Sequence, residues 1–356
     1  MKPPIRAVVL DDSLICRARL REILQSEGDI QVVGESTSGD GVLGLIHRTR
    51  PSVLLVDLQM PGIAGPETIE RVMANHPLPI LVVTGQPEGV RQAAVFESIR
   101  RGALMLAEKP SATDLVAQAR LRATVRELSR IPVVRHVAGN LHPKPLKSVS
   151  FLPSSRSPSG GPRPLIVGVG ASAGGPLAVA AVLGTLPPDY PGAVGIVQHL
   201  PVGFTRAFQE FLQGRISLPV RLVRGQTEIE PGLVYLADDD CHLAITRHNR
   251  WVAVKDPPVE GHRPSVDVLF HSLANHGGGK CAGVILSGIG RDGVSGLLAM
   301  RRVGALTFAQ DQDSSGVYGM PRAAAEAGAA AHILDPKQIA TKLTEWALAN
   351  EERMRR

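Results

Sequence analysis

The sequence predicts two doubly wound α/β domains joined by an extended linker. Three observations carry this. Short apolar runs alternate with helical patterns five times over residues 1–130. A stretch rich in proline, serine and basic residues follows over 131–163, and the alternation resumes over 164–350. Apolar runs that alternate with helices are the mark of parallel sheets covered on both faces. At 356 residues the chain has room for about two domains of ordinary size.

In the first domain the strands are expected at 6–10, 30–35, 53–57, 80–83 and 103–107, with helices such as 13–26 and 65–74 between them. Their unbroken Val/Leu/Ile character suits strands buried on both faces. In the second domain, strands are expected at 165–169, 193–198, 220–223, 283–286 and 306–309. A patch over 233–254 is rich in β-branched residues and turn signals such as His248-Asn249, and is expected to form short antiparallel strands.

The linker holds six prolines and the run Ser154-Ser155-Arg156-Ser157-Pro158-Ser159-Gly160-Gly161, a composition that cannot bury a core. It also holds five basic residues (Arg135, Lys144, Lys147, Arg156, Arg163) and no acidic one. The net charge of +6 is therefore nearly all linker, and no basic face is left for nucleic acid. Hydrophobic residues at 44% and charged residues at 20% fit a soluble globular protein. Aromatics at 3% leave the cores to Val, Leu, Ile and Ala. No apolar run reaches the ~18 residues of a membrane span, and the start Met1-Lys2-Pro3-Pro4 has no secretion signal, so a cytoplasmic protein is expected; a monomer is also expected. Cys16, Cys241 and Cys281 are far apart and odd in number, so they read as buried thiols rather than disulfides or a zinc site.

Function in open α/β sheets collects at the carboxyl ends of the strands. In the first domain those ends carry Asp11 and Asp12, then Asp57, Thr84 and Lys109. Any single Asp there reads as a helix cap. Three carboxylates together repel one another unless a cation neutralises them, and their hard oxygens suit Mg²⁺. The pieces Leu10-Asp11-Asp12-Ser13, Val56-Asp57-Leu58-Gln59-Met60-Pro61-Gly62, Val83-Thr84-Gly85 and Lys109-Pro110 resemble the response-regulator receiver family over roughly residues 4–128. The resemblance implies a flavodoxin-like (βα)5 fold with Asp57 as phosphoacceptor. It also implies Mg²⁺ on Asp12, Asp57 and the Gln59 carbonyl with Asp11 alongside, and Thr84 and Lys109 on the phosphoryl oxygens. The chain departs from the family at Ala64, where Asp is common, and at Leu106, where an aromatic is usual.

The second domain opens on Gly168-Val169-Gly170-Ala171-Ser172-Ala173-Gly174-Gly175-Pro176. Gly168-x-Gly170-x-x-Ala173 fits a Rossmann-like dinucleotide turn, and Gly170-x-Ser172-x-Gly174 fits a nucleophile elbow. A dinucleotide site wants an acid near the end of the second strand. That strand ends Val197-Gln198-His199-Leu200-Pro201, with His199 in its place. A later strand end supplies Gly290-Arg291-Asp292-Gly293. Ser, His and Asp at three strand ends can converge as a triad, although the chain order Ser–His–Asp is not that of the α/β-hydrolases.

Five ordered blocks resemble the catalytic domain of chemotaxis protein-glutamate methylesterases over residues 164–348. They are Val169 to Gly175, Gln198 to Pro201, Arg263-Pro264-Ser265-Val266-Asp267-Val268-Leu269-Phe270, Gly290 to Gly293, and Ala309-Gln310-Asp311 with Tyr318-Gly319-Met320-Pro321. The resemblance implies Ser172 as nucleophile, His199 as base, Asp292 as its orienting acid, and backbone N–H groups at Ala173 and Ile289 for the oxyanion. It implies methyl-accepting chemotaxis receptors as substrates, a chemotaxis histidine kinase as phosphodonor, some activity on glutamine, no cofactor at the hydrolase site, and a receiver that packs over the hydrolase until phosphorylated.

Other residues have plainer readings. Arg263, Ser265 and Asp267 are candidates to shape the site, and Ser265 fits a helix cap equally well; His262, His271 and His276 fit solvated or capping histidines, and Asp238-Asp239-Asp240 fits a solvated turn. The alternatives are a nucleotide-dependent oxidoreductase under receiver control, disfavoured by the missing acid, and a non-catalytic DNA-binding output module. The second lacks a helix-turn-helix with a basic recognition helix.

Overall fold

Each apolar run of the first domain becomes a strand of one parallel sheet. A computed structural model of the chain describes residues 3–58, 60, 65–85, 91–131, 133, 164–277 and 280–355. It divides into two compact units, Met1–Leu141 and His142–Arg356. The predicted linker, apart from residues 131 and 133, lies outside the described residues, as do Gln59 and Ala64.

Unit one runs β1 Ile5–Leu10, α1 Leu14–Gln25, β2 Ile30–Ser36, α2 Val42–Thr49, β3 Val53–Val56, α3 Gly65–Asn75, β4 Ile80–Thr84, α4 Arg91–Arg100, β5 Met105–Glu108 and α5 Leu115–Leu128. The sheet order is β2-β1-β3-β4-β5, all parallel. Every residue of β3 and β4 is buried, which is why these runs carry no polar alternation. The strand order reverses between β1 and β3, so a crevice opens where their carboxyl ends part. Ser13 caps α1, and Asp114 caps α5, each accepting from a backbone N–H of the first turn.

Unit two runs β6 Ile166–Ala171, α6 Gly175–Leu183, β7 Ala193–Gln198, α7 Thr205–Gln213, β8 Val220–Val223, β9 Gln226–Glu228, β10 Val234–Ala237, β11 His242–Ile245, β12 Arg250–Val254, α8 Val266–His276, β13 Cys281–Ile285, α9 Val294–Arg302, β14 Leu306–Gln310, α10 Met320–Glu326, β15 His332–Leu334 and α11 Pro336–Arg355. Seven strands form a parallel sheet in the order β15-β14-β13-β6-β7-β10-β8. Three more form the antiparallel sheet β11-β12-β9.

The expected antiparallel patch over 233–254 is thus corrected in part. Val234–Ala237 is a fully buried parallel strand between β7 and β8, and only β11 and β12 of that stretch are antiparallel. The small sheet is fastened to the large one by Trp251, fully buried, whose ring sits where a side chain on Gly195 of β7 would be. Cys241 and Cys281 are buried and Cys16 is half-buried, none of them in a disulfide. Among the described residues no helix is long and apolar enough to cross a membrane.

The glycines that suggested a dinucleotide turn have another cause. Gly168 and Gly170 lie inside β6, and α8 packs directly over them. A Cβ on Gly170 would come within 2.2 Å of Val266 Cγ1, and one on Gly168 within 2.5 Å of Leu273 Cδ1. Their missing side chains bring the start of α8 down onto the sheet beside the end of β6.

Candidate active site

In unit two the strand order reverses between β6 and β13, and Ser172 stands at that point. It follows β6 directly and its N–H donates to Ser287 O across the crevice, at 3.0 Å. Gly174 then turns with φ of +70°, which only glycine adopts without strain, and Gly175 starts α6. Ser172 is therefore held in a tight strand–turn–helix corner and is buried. On the far side Gly288 comes so close that a Cβ there would lie 3.0 Å from Ser172 Cβ.

His199 follows the next strand. Ala171 and Gln198 are paired across β6 and β7, so Ser172 and His199 leave neighbouring strand ends in register. His199 N–H donates to Ala171 O at 3.0 Å. Gln198 spans both corners, its Nε2 donating to Ser172 O at 2.7 Å and to His199 O at 3.1 Å.

Asp292 reaches His199 from the loop after β13, with His199 Nε2 to Asp292 Oδ2 at 2.8 Å. An ionised Asp292 accepts, so Nε2 carries the proton and Nδ1 is left with its lone pair. That Nδ1 is buried and has no hydrogen-bond partner among the described residues. Asp292 itself is fully engaged. Oδ1 accepts from Ser265 Oγ at 2.8 Å and Asp267 N–H at 3.0 Å, and Oδ2 also accepts from Val266 N–H at 2.7 Å. These are the first N–H groups of α8, so the carboxylate sits on a helix N-terminus. Burial pulls its pKa up, but the hydrogen bonds from His199 and from the two backbone donors outweigh burial and hold it at about 2. Asp267, next in line, is pushed above the usual carboxylate range by burial, against the opposing donation from Gly296 N–H.

The remaining sequence blocks build the third wall. Ser287 Oγ donates to Ala173 O at 2.7 Å and accepts from Val317 N–H at 2.9 Å, while Ser287 N–H donates to Gln310 Oε1 at 2.8 Å. Gly288 N–H donates to Val317 O, and Gly319 and Met320 N–H donate to Gly288 O. The loop leading to Ile289 is thereby pinned on both sides. The N–H groups of Ala173 and Ile289 make no hydrogen bond among the described residues.

Ser265 meets both of its readings, capping α8 and holding Asp292 through its hydroxyl. Two of the plainer readings need correction. His262 is stacked face to face on His199, with ring centroids 4.0 Å apart and planes 6° from parallel. Asp239 and Asp240 do lie in a half-buried turn, but their carboxylates are engaged. Asp239 Oδ1 accepts from Gly203 N–H, Thr205 N–H and Thr205 Oγ1, and Asp240 forms a two-pronged pair with Arg263. His271 is half-buried, bonded to Ser295 Oγ at 3.1 Å.

In unit one, Asp11, Asp12 and Asp57 each bring a carboxylate oxygen within 4.8 Å of the others. Lys109 Nζ pairs with Asp11 Oδ2 and with Asp57 Oδ2, both at 2.7 Å. Burial pulls the Lys109 pKa down, but the bonds to Asp11 and Asp57 outweigh it and hold the ammonium above its ordinary value. One ammonium faces three carboxylates, and the excess negative charge on hard oxygens fits a divalent cation such as Mg²⁺. Thr84 ends β4 beside them, buried, with its carbonyl accepting from Lys109 N–H at 2.9 Å. Leu106, where the receiver family usually has an aromatic, is buried in β5.

The comparisons with known proteins fall on the same two units. The family model of CheB methylesterase matches residues 167–343, and that of the response regulator receiver domain matches residues 7–120. A protein-glutamate methylesterase/protein-glutamine glutaminase of Anaeromyxobacter dehalogenans is 38% identical over 96% of this chain and 97% of its own length. One of Cupriavidus metallidurans is 37% identical over 95% and 97%. The crystal structure of the Thermotoga maritima CheB methylesterase catalytic domain aligns with 51% of this chain and 98% of its own, at 32% identity and a TM-score of 0.50. Near-full-length similarity at this level, with both family models in order, shows that the chain belongs to the protein-glutamate methylesterase/protein-glutamine glutaminase family, which joins a response regulator receiver domain to a CheB methylesterase domain.

Proposed function

We propose that the chain hydrolyses glutamate γ-methyl esters on methyl-accepting chemotaxis receptors by a Ser172–His199–Asp292 triad, under control of phosphorylation at Asp57. The observation that carries the reading is the state of His199. It is held at Nε2 by a carboxylate that is itself fully bonded, and its other nitrogen is buried and has no hydrogen-bond partner among the described residues, on the strand end next to the Ser172 corner.

In this reading Ser172 Oγ attacks the ester carbonyl carbon and gives its proton to His199 Nδ1. Asp292 stabilises the imidazolium and keeps it in one tautomer without taking the proton. The oxyanion forms against the free N–H groups of Ala173 and Ile289. Collapse breaks the bond to methoxide, which takes the proton from His199 and leaves as methanol. Water then attacks the glutamyl ester with His199 again as base, releasing the carboxylate and restoring Ser172. A glutamine side chain would follow the same path with ammonia leaving. This accounts for the second activity in the relatives' names.

In the receiver, Asp57 is the phosphoacceptor, and a chemotaxis histidine kinase is the donor. Lys109 and Thr84 take the phosphoryl oxygens. Asp11, Asp12 and Asp57 would hold Mg²⁺, which when bound neutralises charge on the phosphoryl group. The Gln59 carbonyl, expected as a further ligand, lies outside the described residues. The receiver carries no group for ester hydrolysis, so its role is to regulate Ser172.

Methanol release from a methylated receptor tests the proposal. Release should depend on Ser172, rise with a phosphodonor and Mg²⁺, and lose that rise in Asp57→Ala. Wild-type release by Ser172→Ala would end the serine mechanism.

A further inference from the structure

A histidine hydrogen-bonded at one nitrogen can still turn about that bond. Asp292 fixes Nε2 of His199 but does not by itself fix the plane of the ring, and the direction of Nδ1 follows the plane. What lies against the ring face decides it, and that is the imidazole of His262, stacked at 4.0 Å and 6°.

His262 is rigidly mounted. Val259 and His262 exchange both backbone hydrogen bonds, at 3.0 and 2.9 Å, around Glu260 and Gly261. Those two residues have φ of +48° and +83°, the left-handed pair that closes a two-residue hairpin turn. Directly after the turn, Arg263 is clamped. Its Nε and Nη2 donate to the two oxygens of Asp240 at 2.8 and 2.7 Å, and its Nη1 donates to Asp256 O at 3.1 Å. A planar, two-pronged pair of this kind fixes direction as well as distance.

The neighbouring residue ties in the other ring. Asp239 Oδ1 holds Gly203 N–H at 2.9 Å and the Thr205 hydroxyl at 2.7 Å, at the far end of the loop that His199 begins. Asp240 adopts φ of +55°, unusual for a residue with a side chain, so the two adjacent carboxylates serve different loops. One short acidic segment therefore sets the His199 loop and the His262 turn at a fixed distance from each other.

We propose that His262 is a positioning residue for the base: its ring, braced through Arg263 to Asp240 while Asp239 braces the His199 loop, fixes the plane of His199 and so the aim of Nδ1. This rests on His199 being the base. The ring face is what matters, so a phenyl ring serves in place of the imidazole. A misdirected base lowers the rate of the chemical step and leaves the binding of a small substrate alone.

The test is the hydrolysis of p-nitrophenyl acetate, an ester small enough to need no receptor-binding surface, by the full chain. In His262→Ala, kcat falls about 10- to 100-fold, with KM within about twofold of wild type. In His262→Phe, kcat returns to within about threefold of wild type. Arg263→Met, which breaks the brace without touching either ring, also lowers kcat. Wild-type kcat in His262→Ala, or equal losses in the Ala and Phe variants, overturns the proposal. If His262→Ala does not fold, the other two decide: an inactive Phe variant, or an unaffected Arg263→Met, overturns it. His199→Ala separates the two readings. If that variant hydrolyses the ester at the wild-type rate, the base assignment fails and the positioning role falls with it. If it is inactive while His262→Ala is unimpaired, only the positioning role fails.

Discussion

Asp57 follows β3 in the first unit, and Asp292 lies in the loop after β13 in the second, each where the strand order of its sheet reverses. Both are buried, and both have a cationic or cation-forming partner at hydrogen-bond distance, Lys109 at 2.7 Å and His199 at 2.8 Å. They differ in their company. Asp292 accepts from a serine hydroxyl, two helix N–H groups and the imidazole, so both its oxygens are engaged. Asp57 shares one lysine with Asp11 and stands within reach of Asp12 as well. A carboxylate with every lone pair directed is a fixed charge that orients something else. Carboxylates crowded around one ammonium form a site that gains from a further cation and from a ligand bridging to it. The environment, not the residue type, separates the two roles.

The largest expected effect breaks the second site alone. Asp292→Asn removes the charge and offers an amide where Nε2–H needs an acceptor, so the His199 tautomer is no longer enforced. Ester hydrolysis should fall by about 10⁴-fold. Phosphorylation of Asp57 from a small-molecule phosphodonor, followed as consumption of the donor, should proceed at the wild-type rate. Equal damage to both reactions would mean the two sites are not separable in the way described.

Metal removal breaks the first site alone. Chelation by EDTA should slow Asp57 phosphorylation about 100-fold or more, because the excess carboxylate charge then repels the phosphoryl group. Basal ester hydrolysis in the same sample should stay unchanged. A matching loss of hydrolysis would put a metal where the triad is proposed.

The smallest effect is on stability. The Asp292 pKa is held at about 2, below the ordinary 3.8. A depressed carboxyl stabilises the fold above its ordinary value and loses that contribution as the pH falls through the lowered one. Between pH 5 and pH 2.5, wild type should lose about 1–2 kcal/mol more than Asp292→Asn, read from urea midpoints of the second unit. Parallel losses in the two proteins would show that Asp292 is not held ionised by its neighbours.

The sequence made the fold legible where strands are buried on both faces, because such strands are written as plain apolar runs. It misled at Val234–Ala237, whose Val-Tyr-Leu-Ala reads the same whether its partners are parallel or antiparallel. It was silent at His332–Leu334, three residues being too short for a period. In the site, Ser172, His199 and Asp292 were legible because each lies close behind a strand end. Their supports Arg263, Ser265 and Asp267 were legible as candidates, but not what each one holds. Ser265 acts on Asp292 across 27 positions, and Arg263 on Asp240 across 23, pairings that no local pattern encodes. The signal available was the block Arg263 to Phe270, too polar at its start for a helix that only packs. Gly168 and Gly170 mislead for the converse reason. A glycine that admits a helix and one that admits a phosphate look the same in a sequence.

The central claim is that Ser172 is a nucleophile made reactive by His199. Its most direct test is reaction of the full chain with a fluorophosphonate, with the adduct located by peptide mass spectrometry. The account predicts one adduct, on Ser172, formed at neutral pH and lost in His199→Ala. An adduct on another residue, or undiminished labelling of Ser172 without His199, would contradict it.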